Sequence, residues 1–160
     1  QWLDSARLLV TLPSEERVTT YSVIDTRDDS RYILGMWSWS RGVNVGPGGE
    51  WMLLYATNQP DPADSGVYAV RTQEGAQPVK LDWFGSWRWR DNDELYVIPM
   101  DVAQSQHTLL HVDLSTGAQT TLNTPPFTVM NGDWSVNADG TRIAFRELAT
   151  SELTLLELAD

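Results

Sequence analysis

The chain has no cysteine, only two histidines, no long apolar run, and half as many bases as acids. Without cysteine there is no disulfide, no zinc–thiolate centre and no thiol nucleophile, and the compartment stays open, because reducing and oxidising spaces both tolerate such a chain. No stretch approaches the roughly 18 apolar residues of a spanning helix, so membrane insertion is not expected. Eleven bases against 22 acids give a formal charge of -11. That charge repels phosphate backbones and anionic lipid, so nucleic acid and membrane surfaces are poor partners. The first residue is Gln1, which reads as a removed leader or as a cut from something longer. Gly-x-Ser-x-Gly is absent, and Ser38 and Ser40 in "WSWS" lack the context of a nucleophile elbow. Gly46-Pro47-Gly48-Gly49 lacks the Lys-Ser/Thr and following helix of a phosphate loop. No catalytic residue, cofactor or metal is therefore assigned.

What the chain does have is flat and β-branched side chains. Eight Trp and five Tyr, with runs of Val, Thr and Leu, favour strands. A length of 160 residues suits one core, hence one domain or one piece of a larger one.

Self-similarity is the strongest signal. Gly-x-Trp occurs as Gly35-Met36-Trp37, Gly85-Ser86-Trp87 and Gly132-Asp133-Trp134, with the Trp residues 50 and 47 apart. A turn cluster follows each: Gly48-Gly49-Glu50, Asp91-Asn92-Asp93 and Ala138-Asp139-Gly140. Such residues tolerate the positive φ that a tight hairpin demands. Apolar runs come next, at Trp51 to Ala56, Leu95 to Ile98 and Ile143 to Phe145, and a clipped copy opens the chain as Trp2, Asp4-Ser5 and Leu8 to Leu12. A further strand signal ends at Asp25, Arg71, Asp113 and Glu157, at intervals of 46, 42 and 44 residues. Each repeat thus reads as four short strands in a meander, A to D, with A carrying the Gly-x-Trp. A period of about 40 to 45 residues with four strands per unit is the propeller pattern. Stacked blades bury both faces of strands B and C, which explains why those strands do not alternate cleanly.

The stretch "GDWSVNADGTRIAF" followed by "LTLLELAD" resembles the WD-like repeat of TolB-type propellers, with its Trp-Ser, Asp-Gly turn, basic-aliphatic-Ala-Phe strand and aliphatic strand ending in an acid. The fit is loosest in the second repeat, where Arg41 to Pro47 reads as an insertion and Arg71 replaces the acid. The resemblance implies a periplasmic or extracellular scaffold for protein contacts, or a propeller attached to a peptidase in the prolyl-oligopeptidase style.

The expected architecture is all-β, a β-propeller of about four four-stranded blades, as an arc of a larger ring of about six to eight blades. A second copy or the rest of a larger chain would complete it, and a self-contained four-bladed ring is the alternative. The blades are read as 1–34 (partial), 35–84, 85–131 and 132–160 (partial), with Gly35, Trp37, Gly85, Trp87, Gly132, Trp134, Asp139 and Gly140 as structural repeat positions.

Binding is expected on the rim of the B–C and D–A connections, where "TNQPDPADS" (57–65) and "NTPPFTVMN" (123–131) lie. Trp83, Phe84, Phe127 and Met130 offer an apolar patch for a partner protein or a sugar face there, or else cover the ends of the core. Asp61 and Asp64 have the oxygen chemistry of a calcium loop but the spacing of solvated turn acids. Trp37 with Trp39, and Trp87 with Trp89, stand two apart and share a strand face, offering an indole ladder or, more simply, inter-blade packing. His107 and His111, four apart, would share a face if both lay in a strand, although a core His111 is the simpler reading. The functional expectation is a non-catalytic protein-interaction or scaffolding module. The alternatives are a substrate-gating propeller of a hydrolase and a carbohydrate-binding propeller.

Overall fold

Short runs of aromatic and β-branched residues, cut every few positions by Asp, Asn and Gly, pair with their neighbours in sequence. The structure is a computed structural model describing residues 1–100 and 105–158, with the side chains of Met130 and Asn131 outside the description. The first sheet contains β1 (Arg7–Pro13), β2 (Val18–Asp25) and β3 (Ser30–Ser38). The second contains β4 (Ser40–Val45), β5 (Trp51–Ala56), β6 (Gly66–Arg71) and β7 (Val79–Lys80). The third contains β8 (Gly85–Trp89), β9 (Glu94–Pro99), β10 (Leu109–Asp113) and β11 (Gln119–Leu122), and the fourth β12 (Val129–Val136), β13 (Arg142–Glu147) and β14 (Leu153–Glu157). Each sheet is an antiparallel meander in chain order. Among the described residues the only helical segment is a 3-10 turn, Pro62–Asp64.

The chain divides into two compact units, Gln1–Asp82 with the first two sheets and Trp83–Asp160 with the last two. In the first unit, Leu9, Tyr21 and Val23 pack with Met52, Leu54 and Val70 of the second sheet. The Trp37 indole is wedged among them, 5.6 Å from the Tyr21 ring and 5.9 Å from Tyr68. In the second unit, Tyr96, Ile98 and Leu109 pack with Trp134, Ile143, Phe145 and Leu156 of the fourth sheet. Trp134 is the wedge here, its Nε1 donating to Ser86 Oγ at 2.8 Å. Arg88 clasps the same strand, donating from Nε to the Trp134 carbonyl at 2.9 Å and from Nη2 to that of Gly132 at 2.7 Å. Consecutive residues Met52, Leu53 and Leu54 are all fully buried, and so are Leu95 to Ile98 in all but small part. Both faces of β5 and β9 are therefore covered, which erases the apolar/polar alternation of a half-exposed strand.

The Gly-x-Trp pattern lies on the opening strand of the third and fourth sheets, β8 and β12, as expected, but not of the second. Gly35 and Trp37 lie on β3, the last strand of the first sheet, and not on the opening strand of the second. That opening strand is β4, Ser40–Val45, in the segment expected to be an insertion, and it carries no Trp. The three glycines serve different ends. A Cβ on Gly35 would lie 2.3 Å from the Trp37 indole itself, one on Gly85 would lie 2.2 Å from the Ile98 carbonyl oxygen, and Gly132 has open space but a φ of +89°. Trp39 also leaves the expected ladder. Its φ of 50° turns the chain from β3 into β4, and its half-exposed ring sits under the Arg17 guanidinium at 4.1 Å.

The hairpins are held by aspartates. Asp113 accepts from Ser115 N and Oγ and from Thr116 N and Oγ1, Asp4 from Ala6 N, Arg7 N and Arg7 Nε, and Asp25 from Arg27. These bonds hold each carboxyl down to about 2, chiefly through the Ser115 hydroxyl, the Ala6 amide and the Arg27 side chain respectively. Asp139, bonded first to Thr141, is lowered too. A folded pKa below the unfolded value of about 3.9 stabilises the fold above that pH and ceases to do so as pH falls through the folded value. The urea midpoint is thus expected to drop between about pH 4 and pH 2. Asp113→Asn should flatten that drop; an equally steep profile in the variant would contradict the assignment.

Candidate functional site

The rim expected to bind does not display the patch. Trp83 and Phe127 are 7% and 6% exposed, while Phe84, at 44%, faces outward. Phe127 packs at a tilt against Phe145, with ring centroids 5.4 Å apart, and belongs to the core of the second unit. Trp83 lies against Trp87 at 6.0 Å, and its Nε1 is buried without a partner among the described residues. These rings close the ends of the core because a flat side chain at a strand end fills the gap between two twisted sheets. Met130 lies outside the described side chains. Asp61 is taken up locally, its carboxylate accepting from Ala63 N to cap the 3-10 turn, while the Asp64 carbonyl accepts from Tyr68 Oη. Among the described residues no three His, Cys, Asp or Glu side chains gather as a metal site.

The histidines are separated. His107 precedes β10, its Nε2 2.7 Å from the Val129 carbonyl and its ring 6.0 Å from Phe127. His111 is on β10 opposite Tyr96, ring to ring at 5.7 Å, with Nε2 3.2 Å from Glu94 Oε2. Arg90 Nη1 donates to that same oxygen at 2.7 Å. Tyr96 Oη donates to the Gly140 carbonyl at 2.8 Å, and the Arg90 stem crosses Gly140 where a Cβ would come within 2.8 Å. Arg90, Tyr96, His111 and Gly140, with Leu122, Thr141 and Leu158, line a cleft of about 120 Å³ between the third and fourth sheets.

The first unit has a larger cleft, about 250 Å³, lined by Arg7, Glu50, Arg71, Thr72 and Gln73. Strand register explains its position. Arg7 pairs with Asp25, Trp51 with Arg71, Glu94 with Asp113 and Arg142 with Glu157, so these are equivalent cross-strand pairs in the four sheets. Both clefts therefore open where the A–B and C–D hairpins turn, on the rim opposite to the expected one. The signal for the first was visible as Arg71, which breaks a column of acids. The second is lined by Arg90, held by Glu94, whose neighbourhood reads in the sequence as a solvated turn.

A third surface is apolar. On the face of the first sheet that points away from the second, Val10, Ser22 and Ile33 form one cross-strand row and Leu12, Thr20 and Met36 another. Ile33 and Met36 are 60% and 62% exposed. On β14 of the fourth sheet, Leu153 and Leu155 are likewise exposed, opposite Arg146 and Ala144.

This succession of four-stranded and three-stranded meanders, with indoles between paired sheets, defines a β-propeller. Solved structures agree. An oligogalacturonate lyase in complex with manganese superposes with a TM-score of 0.69 at 11% identity, over 95% of this chain and 47% of that one. An uncharacterized protein of Listeria monocytogenes EGD-e gives 0.63 at 12% identity, over 99% and 49%. The β-propeller domain of the trilobed protease from Pyrococcus furiosus gives 0.61 at 12% identity, over 98% and 53%. The chain spans about half the length of these structures. At such identities the likeness establishes the fold alone. No family model matches the chain, and no curated protein does. Among the described residues no helix is long and apolar enough to cross a membrane.

Proposed function

We propose that this chain is a non-catalytic protein-interaction module of a TolB-type propeller that works outside the cytoplasm and engages its partner at the rim of the A–B and C–D hairpins. The observation that carries this reading is the placement of a cleft at that rim in each unit, a polar one lined by Arg7 and Arg71 in the first and a mixed one lined by Arg90, His111 and Leu158 in the second. Loops and turns on a rigid sheet scaffold are where recognition is usually placed, since the scaffold fixes their geometry without itself being consumed by contact. The aspartate-held hairpins described above keep these rims ordered, so little entropy is lost when a partner binds.

A second reading is favoured by the likeness to the propeller domain of a protease: a substrate-gating propeller beside a hydrolase domain. Site-specific photo-cross-linking separates the two. A benzophenone amino acid at Gln73, on the cleft rim, is expected to give a discrete adduct with another protein in an extract of the source cells, and one at Phe84, on the opposite rim, is expected to give none. A Gln73 adduct within the same polypeptide supports the gating reading instead. Adducts at Phe84 alone would reject this rim.

A further inference from the structure

We infer that the cleft beside Arg71 is a carboxylate-binding site. In three sheets the residue closing the C strand (β2, β10 and β14) is an acid whose charge is used locally. Asp25 holds Arg27, Asp113 holds the Ser115–Thr116 turn, and Glu157 pairs with Arg142 at 3.3 Å. In the second sheet the same register position is Arg71, paired across the strand with Trp51. Its guanidinium lies over the Trp51 ring at 4.5 Å and makes no ion pair among the described residues. Stacking holds the planar fork in one orientation and leaves its edge for a ligand, which is the arrangement that recognises a carboxylate through two parallel hydrogen bonds.

The rest of the cleft is fixed. Arg7 Nη1 donates to the Thr72 carbonyl at 2.9 Å and Nε to Asp4 at 2.6 Å. Tyr32 Oη donates to the same Thr72 carbonyl at 2.8 Å, and the Thr72 hydroxyl to that of Gly49. Thr72 is buried, so the floor cannot shift without breaking these bonds. Arg7, although compensated by Asp4, adds positive field on one side of the cleft; Glu50 lines it on the other and opposes an anion. A space of about 250 Å³ admits a small organic acid or one acidic side chain, not an extended chain. In a chain of net charge -11 the Arg71 guanidinium, stacked on Trp51 and in no ion pair among the described residues, favours an anion presented at short range.

This inference rests on the rim reading above and is tested apart from it. Glutarate is titrated into the 160-residue chain while the Arg side-chain Nε–H resonances are followed by NMR. Saturable shifts of Arg71 and Arg7 are expected. Arg71→Asp restores the acid that the other three sheets carry, so the fold should persist, checked by an unchanged amide spectrum elsewhere, while affinity falls about tenfold or more. Glu50→Gln should tighten binding about two- to fivefold by removing the opposing charge. Linear, non-saturating shifts, or saturation that survives Arg71→Asp, would overturn the site. Inorganic phosphate binding as tightly as glutarate would overturn the carboxylate assignment. If glutarate fails while the Gln73 cross-link persists, only this inference falls; if glutarate binds and the cross-link moves to Phe84, only the rim reading does.

Discussion

Trp134→Ala is expected to cost about 3 to 5 kcal/mol of stability, the range for removing a buried aromatic from a core that only partly collapses. The indole is 4% exposed, touches both sheets of its unit and donates to Ser86 Oγ. Arg88, stacked on the ring at 5.0 Å, loses that face as well. Trp134→Phe keeps most of the wedge but deletes the donor and leaves the Ser86 hydroxyl unmatched, so about 1 to 2 kcal/mol is expected. Trp39→Ala is the contrast. That ring is half-exposed beneath Arg17, so its loss should cost less than about 1 kcal/mol. Urea titration followed by far-UV circular dichroism measures all three without relying on indole emission. If Trp39→Ala proves as damaging as Trp134→Ala, the wedge account of the second unit is wrong.

Gly49→Ala should be nearly as severe, at about 3 kcal/mol or more, through strain with little loss of contact. Gly49 has a φ of +70°, and a Cβ there would lie 2.0 Å from the Leu3 carbonyl oxygen and 2.6 Å from its carbon. Leu3 is itself buried in the core of the first unit, so its backbone has nowhere to go. Gly75 separates the two costs, for it has a φ of +74° and nothing within 4 Å of the place its methyl would take. Gly75→Ala should therefore show only the conformational cost, about 1 to 2 kcal/mol. The difference between the two variants is the steric part, and equal losses would remove it from the explanation. Because the Gly49 carbonyl receives the Thr72 hydroxyl, Gly49→Ala should also weaken glutarate binding in the neighbouring cleft.

The fold was legible because its determinants are local. Asp-Gly and Asp-Asn turns, runs such as Leu95 to Ile98 buried on both faces, and the acids at 25, 113 and 157 all recur within one strand's reach. The misplacement of Gly35 and Trp37 has the same origin. Gly-x-Trp marks the opening strand in the third and fourth sheets, where Trp87 and Trp134 pair with the equivalent Val97 and Phe145, but its first copy does not, and only strand pairing reveals that Trp37 closes the first sheet. The expected apolar rim failed for another reason. Composition cannot say whether an aromatic at a strand end points outward or caps the core, and Trp83 and Phe127 cap it. The clefts were hidden because they depend on the packing of one sheet on the next, which brings Arg7 of the first sheet to Arg71 and Thr72 of the second, 65 residues from Thr72 in the chain. Arg71 alone was conspicuous in the sequence, as a break in a pattern.

The apolar rows of Ile33 and Met36 on the first sheet and of Leu153 and Leu155 on β14 carry a consequence for handling the molecule. At low ionic strength, the repulsion between copies that each bear eleven excess negative charges keeps these greasy faces apart. Added salt shortens the reach of that repulsion to roughly 10 Å at 0.1 M, while leaving the attraction between hydrocarbon surfaces intact. The 160-residue chain will consequently disperse best in dilute buffer and cluster as electrolyte rises, the reverse of a protein whose copies stick through opposite charges.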